Sequence, residues 1–303
     1  MSERPRHRMT EGNTMTESIG SPEYHATMRR LGKLVEPVAA GVYFAPEAHD
    51  AYAEHGLDFF EGYFCSRSAC LGDVPWTVVC SAFAAFKPAA VEAAVTSGKT
   101  KADARTLAAA RLAGATAQLE RLVGPVAEAG KVARATETLF ELTDGIDPSG
   151  RALFAGLSSL PRPGTALGDL WRAADLVREH RGDGHIAAWI GRTNSIEITL
   201  LTELAWGIPA KSYVFTRGWS ADEIDAASEN LARRGLITEG ALTASGRELR
   251  GDIERATDLA ERELYERLDG RADELFELLQ PLSSAIVAGG GYPTDPSNLA
   301  ISG

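Results

Sequence analysis

The sequence predicts a mainly α-helical fold built as two pseudo-repeated helical halves. Three observations carry this. Ala and Leu dominate the 303 residues, and β-branched runs are few. Apolar residues recur through most of the chain at i, i+3 and i+4, the spacing of one helix face. The order of elements in the first half returns in the second at an offset of about 133 to 136 residues, the mark of a duplicated unit.

Residues 1–22 are polar and lack an apolar centre, so they read as a disordered leader rather than a signal peptide, with Met15 an alternative start. Leu31, Leu34, Val35, Val38 and Ala39 form the first helical stripe. Pro46 then disfavours helix at Ala45 and suits the first turn of the next. Leu57–Ala69 is aromatic, with Arg67 embedded, and Leu71–Pro75 is a turn. Pro88 opens a further helix, and long amphipathic helices follow at about 102–122 and 127–142. Pro148, Pro161 and Pro163 mark the connection between halves, giving an N-terminal half at 23–163, a C-terminal half at 164–290 and a flexible tail at 291–303. At the repeat offset His49 meets His185 and Glu61 meets Glu197. A four-ligand metal site built from those residues would depend entirely on the duplication, and ordinary polar surface is the simpler reading. The cofactor question stays open.

From about 208 to 268 the order is helix, short strand pair, helix. Ser220 with Glu223 is a capping box, Gly235 ends the helix and leads into a strand at Leu236-Ile237, Leu242-Thr243 pairs back on it, and a long helix is expected at 249–268. The run "LARRGLI…LTASGRELR" resembles the recognition helix, wing and following helix of MarR-type winged-helix proteins, which implies a DNA-binding dimer. The candidate recognition helix nevertheless carries Asp222, Glu223, Asp225 and Glu229, with no basic residue before Arg233. Such helices contact phosphates and base edges with basic and amide side chains. Residues 211–269 hold nine basic and thirteen acidic residues. Taken whole, from about Arg30 to Leu282, the chain resembles an actinobacterial helix-turn-helix family of unsettled function, through "EPVAAGVYFAPE", "GYFCSRSACLG", "LVREHRGDGHIAAW" and "RGWS". That resemblance brings no activity with it.

The formal charge of −11 argues against broad attraction to nucleic acid or anionic membrane. No apolar run reaches the length of a membrane span. Cys65, Cys70 and Cys80 fit no zinc spacing, and an odd count suits reduced thiols in the cytoplasm.

Leu176–Trp189 is where chemistry concentrates. Arg178, Glu179, His180, Arg181, Asp183 and His185 crowd between apolar flanks. Gly182 and Gly184 bracket Asp183, so the backbone there can turn tightly or approach another chain closely, and Asp183 can cap a helix beginning near Gly184. Buried charges are costly unless paired; an ion-pair corner between helices would satisfy them, and so would a pocket. The pocket reading assigns acid–base work to His180, Asp183 and His185. Arg178, Glu179 and Arg181 join them on the polar side, with Tyr43, Phe64 and Arg67 on the other, and Arg178, Arg181 and Arg67 would grip a carboxylate or phosphate. The expected function is binding or processing of a small organic molecule in a groove between the halves, with a reaction class left unspecified. The alternatives are a MarR-like regulator that binds DNA as a homodimer and a non-catalytic scaffold.

Overall fold

The computed structural model describes residues 18–293; the leader expected at 1–22, with Met15, and the tail expected at 291–303 lie mostly outside the described residues. Helix α1 (Pro22–Ala40) starts where the Ser21 hydroxyl accepts from the Tyr24 amide at 3.1 Å, and Pro22 sits where a missing N–H costs nothing. A 3₁₀ turn at Gly41–Phe44 follows. Next come α2 (Pro46–Ala53), α3 (Phe59–Ser68), α4 (Trp76–Ala82), α5 (Pro88–Gly98), α6 (Ala104–Leu122), α7 (Ala129–Thr143) and α8 (Ala152–Ser158). Helix α9 (Ala166–Trp189) is capped by Thr165 and runs 24 residues, roughly 36 Å at 1.5 Å per residue. Its partners are α1, α6, α7 and α8, and later α13 (Ala244–Leu259). The indole of Trp171 donates to the Ala39 carbonyl at 3.1 Å, pinning α9 to α1.

The winged helix consists of α10 (Ser195–Trp206), α11 (Ser212–Phe215), α12 (Ala221–Arg233), β1 (Ile237–Thr238), β2 (Ala241–Leu242) and α13. The strands pair antiparallel, Ile237 with Leu242 and Thr238 with Ala241. Glu239 and Gly240 both take positive φ in the two-residue turn, which matches the twist of a tight hairpin. Leu201, Val214, Ile224, Leu231 and Ile237 give this module its own small core. The main core gathers α1 to α9 with α14 (Arg262–Leu268) and α15 (Ala272–Ala288). The single helix expected at 249–268 is therefore two, α13 and α14, separated at Ala260 and Glu261.

Two corrections follow at the polar block. Helix α9 runs unbroken through Gly182 and Gly184, because the i to i+4 ladder has no proline to break it and the Asp183–Gly184 side is buried against α8 and Ala260. Asp183 caps no new helix there; its carboxylate instead accepts from the Phe154 amide at 3.0 Å, in the first turn of α8. Glu61 and Glu197 each close a capping box, with Asp58 and Asn194. This is a local likeness at the repeat offset and does not by itself carry a duplication of whole halves.

The winged helix is bonded to the body at one edge. The Lys87 amide donates to the Arg217 carbonyl at 2.9 Å, and the Trp219 indole donates to the Ala85 carbonyl at 3.1 Å. At the other edge Arg181 of α9 meets three carboxylates of the α13 region. Between these two attachments lies a cleft.

Candidate functional site

An unbroken helix sorts the polar block by angle. At 100° per residue, positions 178, 181, 182 and 185 fall on one face, and 180 and 183 fall on the opposite one. Arg178, Arg181, Gly182 and His185 line a cavity of about 650 Å³, within the usual range for small-molecule sites. The rest of its wall comes from α1, the Tyr43–Phe44 turn, α3, Phe86, the α10–α11 region and α13. Nine aromatic rings and seven basic side chains line it, against two carboxylates, Glu36 and Glu254.

Most of those cations are matched. Arg67 grips Glu179 with two bonds of 2.8 and 2.7 Å and donates to Tyr63 at 3.1 Å. Arg178 reaches Glu179 at 2.8 Å and Glu36 at 3.1 Å. Burial alone would raise the Glu179 carboxyl, but Arg67 and Arg178 outweigh it and hold it down at about 2. Arg181 donates to Glu254 at 2.6 Å, to Asp258 at 2.9 Å and to Glu261. Glu261 is fully enclosed, and burial pushes it up to about 7 despite Arg181. Arg29 pairs with Asp258 at 2.9 Å, and Arg250 with Glu254 at 2.7 Å.

The Tyr43 hydroxyl accepts from Arg111 at 3.0 Å and Arg178 at 3.4 Å, and its ring lies against both guanidinium groups. Burial pushes this phenol up to about 12, with Arg111 and Arg178 pulling the other way. His185 Nδ1 is 2.9 Å from Thr257 Oγ1. Burial, then Arg250, lowers this imidazole to about 4, so it is neutral near pH 7.

The structure divides the expected site residues. Tyr43, Arg67, Arg178, Arg181 and His185 share the cavity, and Glu179 sits behind it as the partner of two arginines. His180 and Asp183 do not line it: they face α8, where the His180 ring packs on Phe154 at 5.0 Å. Phe64 is fully buried among Phe83, Phe86 and Tyr63 and does not line this cavity. Sequence reasoning missed Glu36, Arg111, Tyr213, Arg217, Arg250 and Glu254. The one signal for Arg111 was a charge on the buried stripe of a long helix; Arg217 stands in the "RGWS" run, to which no role was given.

Among the described residues, no three of His, Cys, Asp or Glu converge as metal ligands. His49 instead contacts the Tyr43 carbonyl at 2.9 Å, Glu61 pairs with Lys101 and Glu197 with Arg234. The three cysteines are unpaired. No helix among the described residues is long and apolar enough to cross a membrane. On α12, Asp222, Asp225 and Glu229 are exposed, and Arg234 is drawn back onto Glu197 at 2.7 Å.

Fold and site together define a helical protein with a helix-turn-helix element forming one wall of a ligand-sized cavity. Residues 28–293 match the model of a helix-turn-helix family, and the chain belongs to that family. The comparison with curated proteins finds no match, and neither does the comparison with solved structures.

Proposed function

We propose that this chain is a small-molecule-binding protein, with its ligand held between the helical body and the winged helix. The cavity of about 650 Å³, with aromatic walls and convergent polar groups, is the observation that carries this reading. His185 is the one histidine of the polar block that lines the cavity, so acid–base use of the site falls to it and not to His180 or Asp183. The winged helix acts here as a wall: Trp206, Tyr213, Arg217 and Arg250 all come from it.

Family membership and element order favour the rival reading, a MarR-like regulator that binds DNA as a homodimer. The exposed carboxylates of α12 weigh against it, since a duplex would meet Asp222, Asp225 and Glu229 first.

One experiment separates the two. N-phenyl-1-naphthylamine, a neutral fluorescent probe, is titrated into the wild type and into Gly182→Phe, which places a ring inside the cavity. The expected result is probe binding that Gly182→Phe abolishes at unchanged circular dichroism, with no retardation of duplex DNA. Binding untouched by Gly182→Phe, or salt-sensitive retardation of DNA, overturns the reading.

A further inference from the structure

The charges around the cavity do not cancel, and what remains says what it holds. Five cavity arginines, Arg29, Arg67, Arg178, Arg181 and Arg250, are met by five carboxylates: Glu36, Glu179, Glu254, Asp258 and Glu261. Arg217 and Lys33 also line the cavity, and neither has an acidic partner among the described residues. Arg217 is half-buried, with its guanidinium 4.2 Å from the Tyr213 ring centre and 4.6 Å from that of Phe86. Ring faces attract a cation but supply no counter-charge. The buried Nε of Arg250 also has no acceptor among the described residues. In a chain of formal charge −11, two unmatched cations on the wall of one aromatic cavity, Arg217 half-buried and Lys33 exposed, are a local inversion of sign.

We infer that the ligand is an aromatic or otherwise apolar organic acid whose anionic head, a carboxylate or phosphate, is received by Arg217 and Lys33 while its body lies against the tyrosine and phenylalanine rings. A guanidinium held by flanking rings offers a carboxylate or phosphate two parallel donors. An ammonium adds a mobile point charge. The head then supplies the negative charge that the protein leaves out, and a neutral ligand of the same shape leaves both cations unmet.

This rests on the cavity being a ligand site, and a pair of probes keeps the two ideas apart. 1-Anilinonaphthalene-8-sulfonate and N-phenyl-1-naphthylamine share their rings and differ by the sulfonate. Both are titrated into wild type, Arg217→Gln, Lys33→Gln and the double variant. Lys33 is exposed, so Lys33→Gln leaves folding intact even if Arg217→Gln disturbs it. The sulfonate is expected to bind wild type at least tenfold more tightly than its neutral parent. Each single variant weakens it three- to tenfold and leaves the parent within twofold, and the double variant removes the preference. Equal binding of the two probes to wild type, or a preference that survives the double variant, overturns the anion inference and leaves the cavity reading standing. Binding of neither overturns both. Competition by 1-naphthoate or 1-naphthyl phosphate identifies the head group, and equal competition by neutral 1-naphthol overturns the inference.

Discussion

The imidazole Nδ1 of His185 stands 2.9 Å from the Thr257 hydroxyl, and that hydroxyl donates to the Ile253 carbonyl at 2.9 Å. A hydroxyl has one proton to give. With it engaged by Ile253, Thr257 can only accept from His185, so Nδ1 carries the hydrogen and Nε2 keeps its lone pair. A residue on α13 thus fixes the tautomer of a residue on α9, and the atom left free belongs to a ring that lines the cavity.

Thr257→Val keeps the shape and removes the acceptor. The variant should lose about 1–2 kcal/mol of stability in urea unfolding. Nitrogen NMR of the His185 ring should pass from one tautomer, protonated at Nδ1, to a mixture. A wild-type ring protonated at Nε2 would contradict the assignment.

Glu179 holds Arg67 and Arg178 together inside the protein. Glu179→Ala leaves buried guanidinium charge uncompensated and should cost about 3–5 kcal/mol. The pair Arg67→Met with Glu179→Met should recover at least half of that, since Arg178 keeps Glu36. Denaturant midpoints of wild type, Glu179→Ala and the double variant decide it, and a double variant no more stable than Glu179→Ala would contradict the pairing.

His180 is buried and its Nδ1 has no partner among the described residues. Burial, with Arg151 adding to it, lowers the ring from 6.5 to about 3. Between those values the unfolded chain binds more protons than the fold, so stability falls as the pH drops. Asp183, raised by burial to about 6, and Glu261, raised to about 7, act in the opposite sense, favouring the fold as they protonate. His180→Phe should therefore gain on wild type by about 2 kcal/mol between pH 7.5 and pH 5. Thermal unfolding at the two pH values measures the gain; a constant difference would contradict it.

The two glycines of α9 should respond oppositely. A Cβ on Gly182 meets only Glu179 Oε2, at 3.5 Å, so Gly182→Ala should stabilise by about 0.5–1 kcal/mol, as alanine does in any helix interior. A Cβ on Gly184 would lie 2.9 Å from Arg151 Nη1 and 3.1 Å from Ala260 Cβ. Arg151 is tied to the His180 and Ala260 carbonyls and cannot withdraw freely. Gly184→Ala should cost about 1–3 kcal/mol. Stabilisation by both substitutions, read from melting temperatures, would contradict the close approach.

The helical class, the winged-helix order and five of the cavity residues were legible in the sequence, because helix periodicity, caps and the hairpin turn are local signals. The faces of α9 were not. Two glycines beside Asp183 read as a bend, and burial of the Asp183–Gly184 side against α8 and Ala260 carries the helix through them. Once the helix is unbroken, its 3.6-residue repeat alone separates His185 from His180. Arg217 and Arg250 were illegible for another reason. Their meeting with Tyr43 and Arg178 depends on how the winged helix docks on the body, through Lys87, Trp219 and Arg181, and those contacts join residues far apart in sequence.

A crystal structure of the chain with 1-anilinonaphthalene-8-sulfonate tests the central claim most directly. The probe should lie between Tyr43 and Tyr213, with its sulfonate at Arg217 and its rings against the aromatic wall. A probe bound only outside the cavity, with the space between α9 and the winged helix filled by side chains, would contradict it.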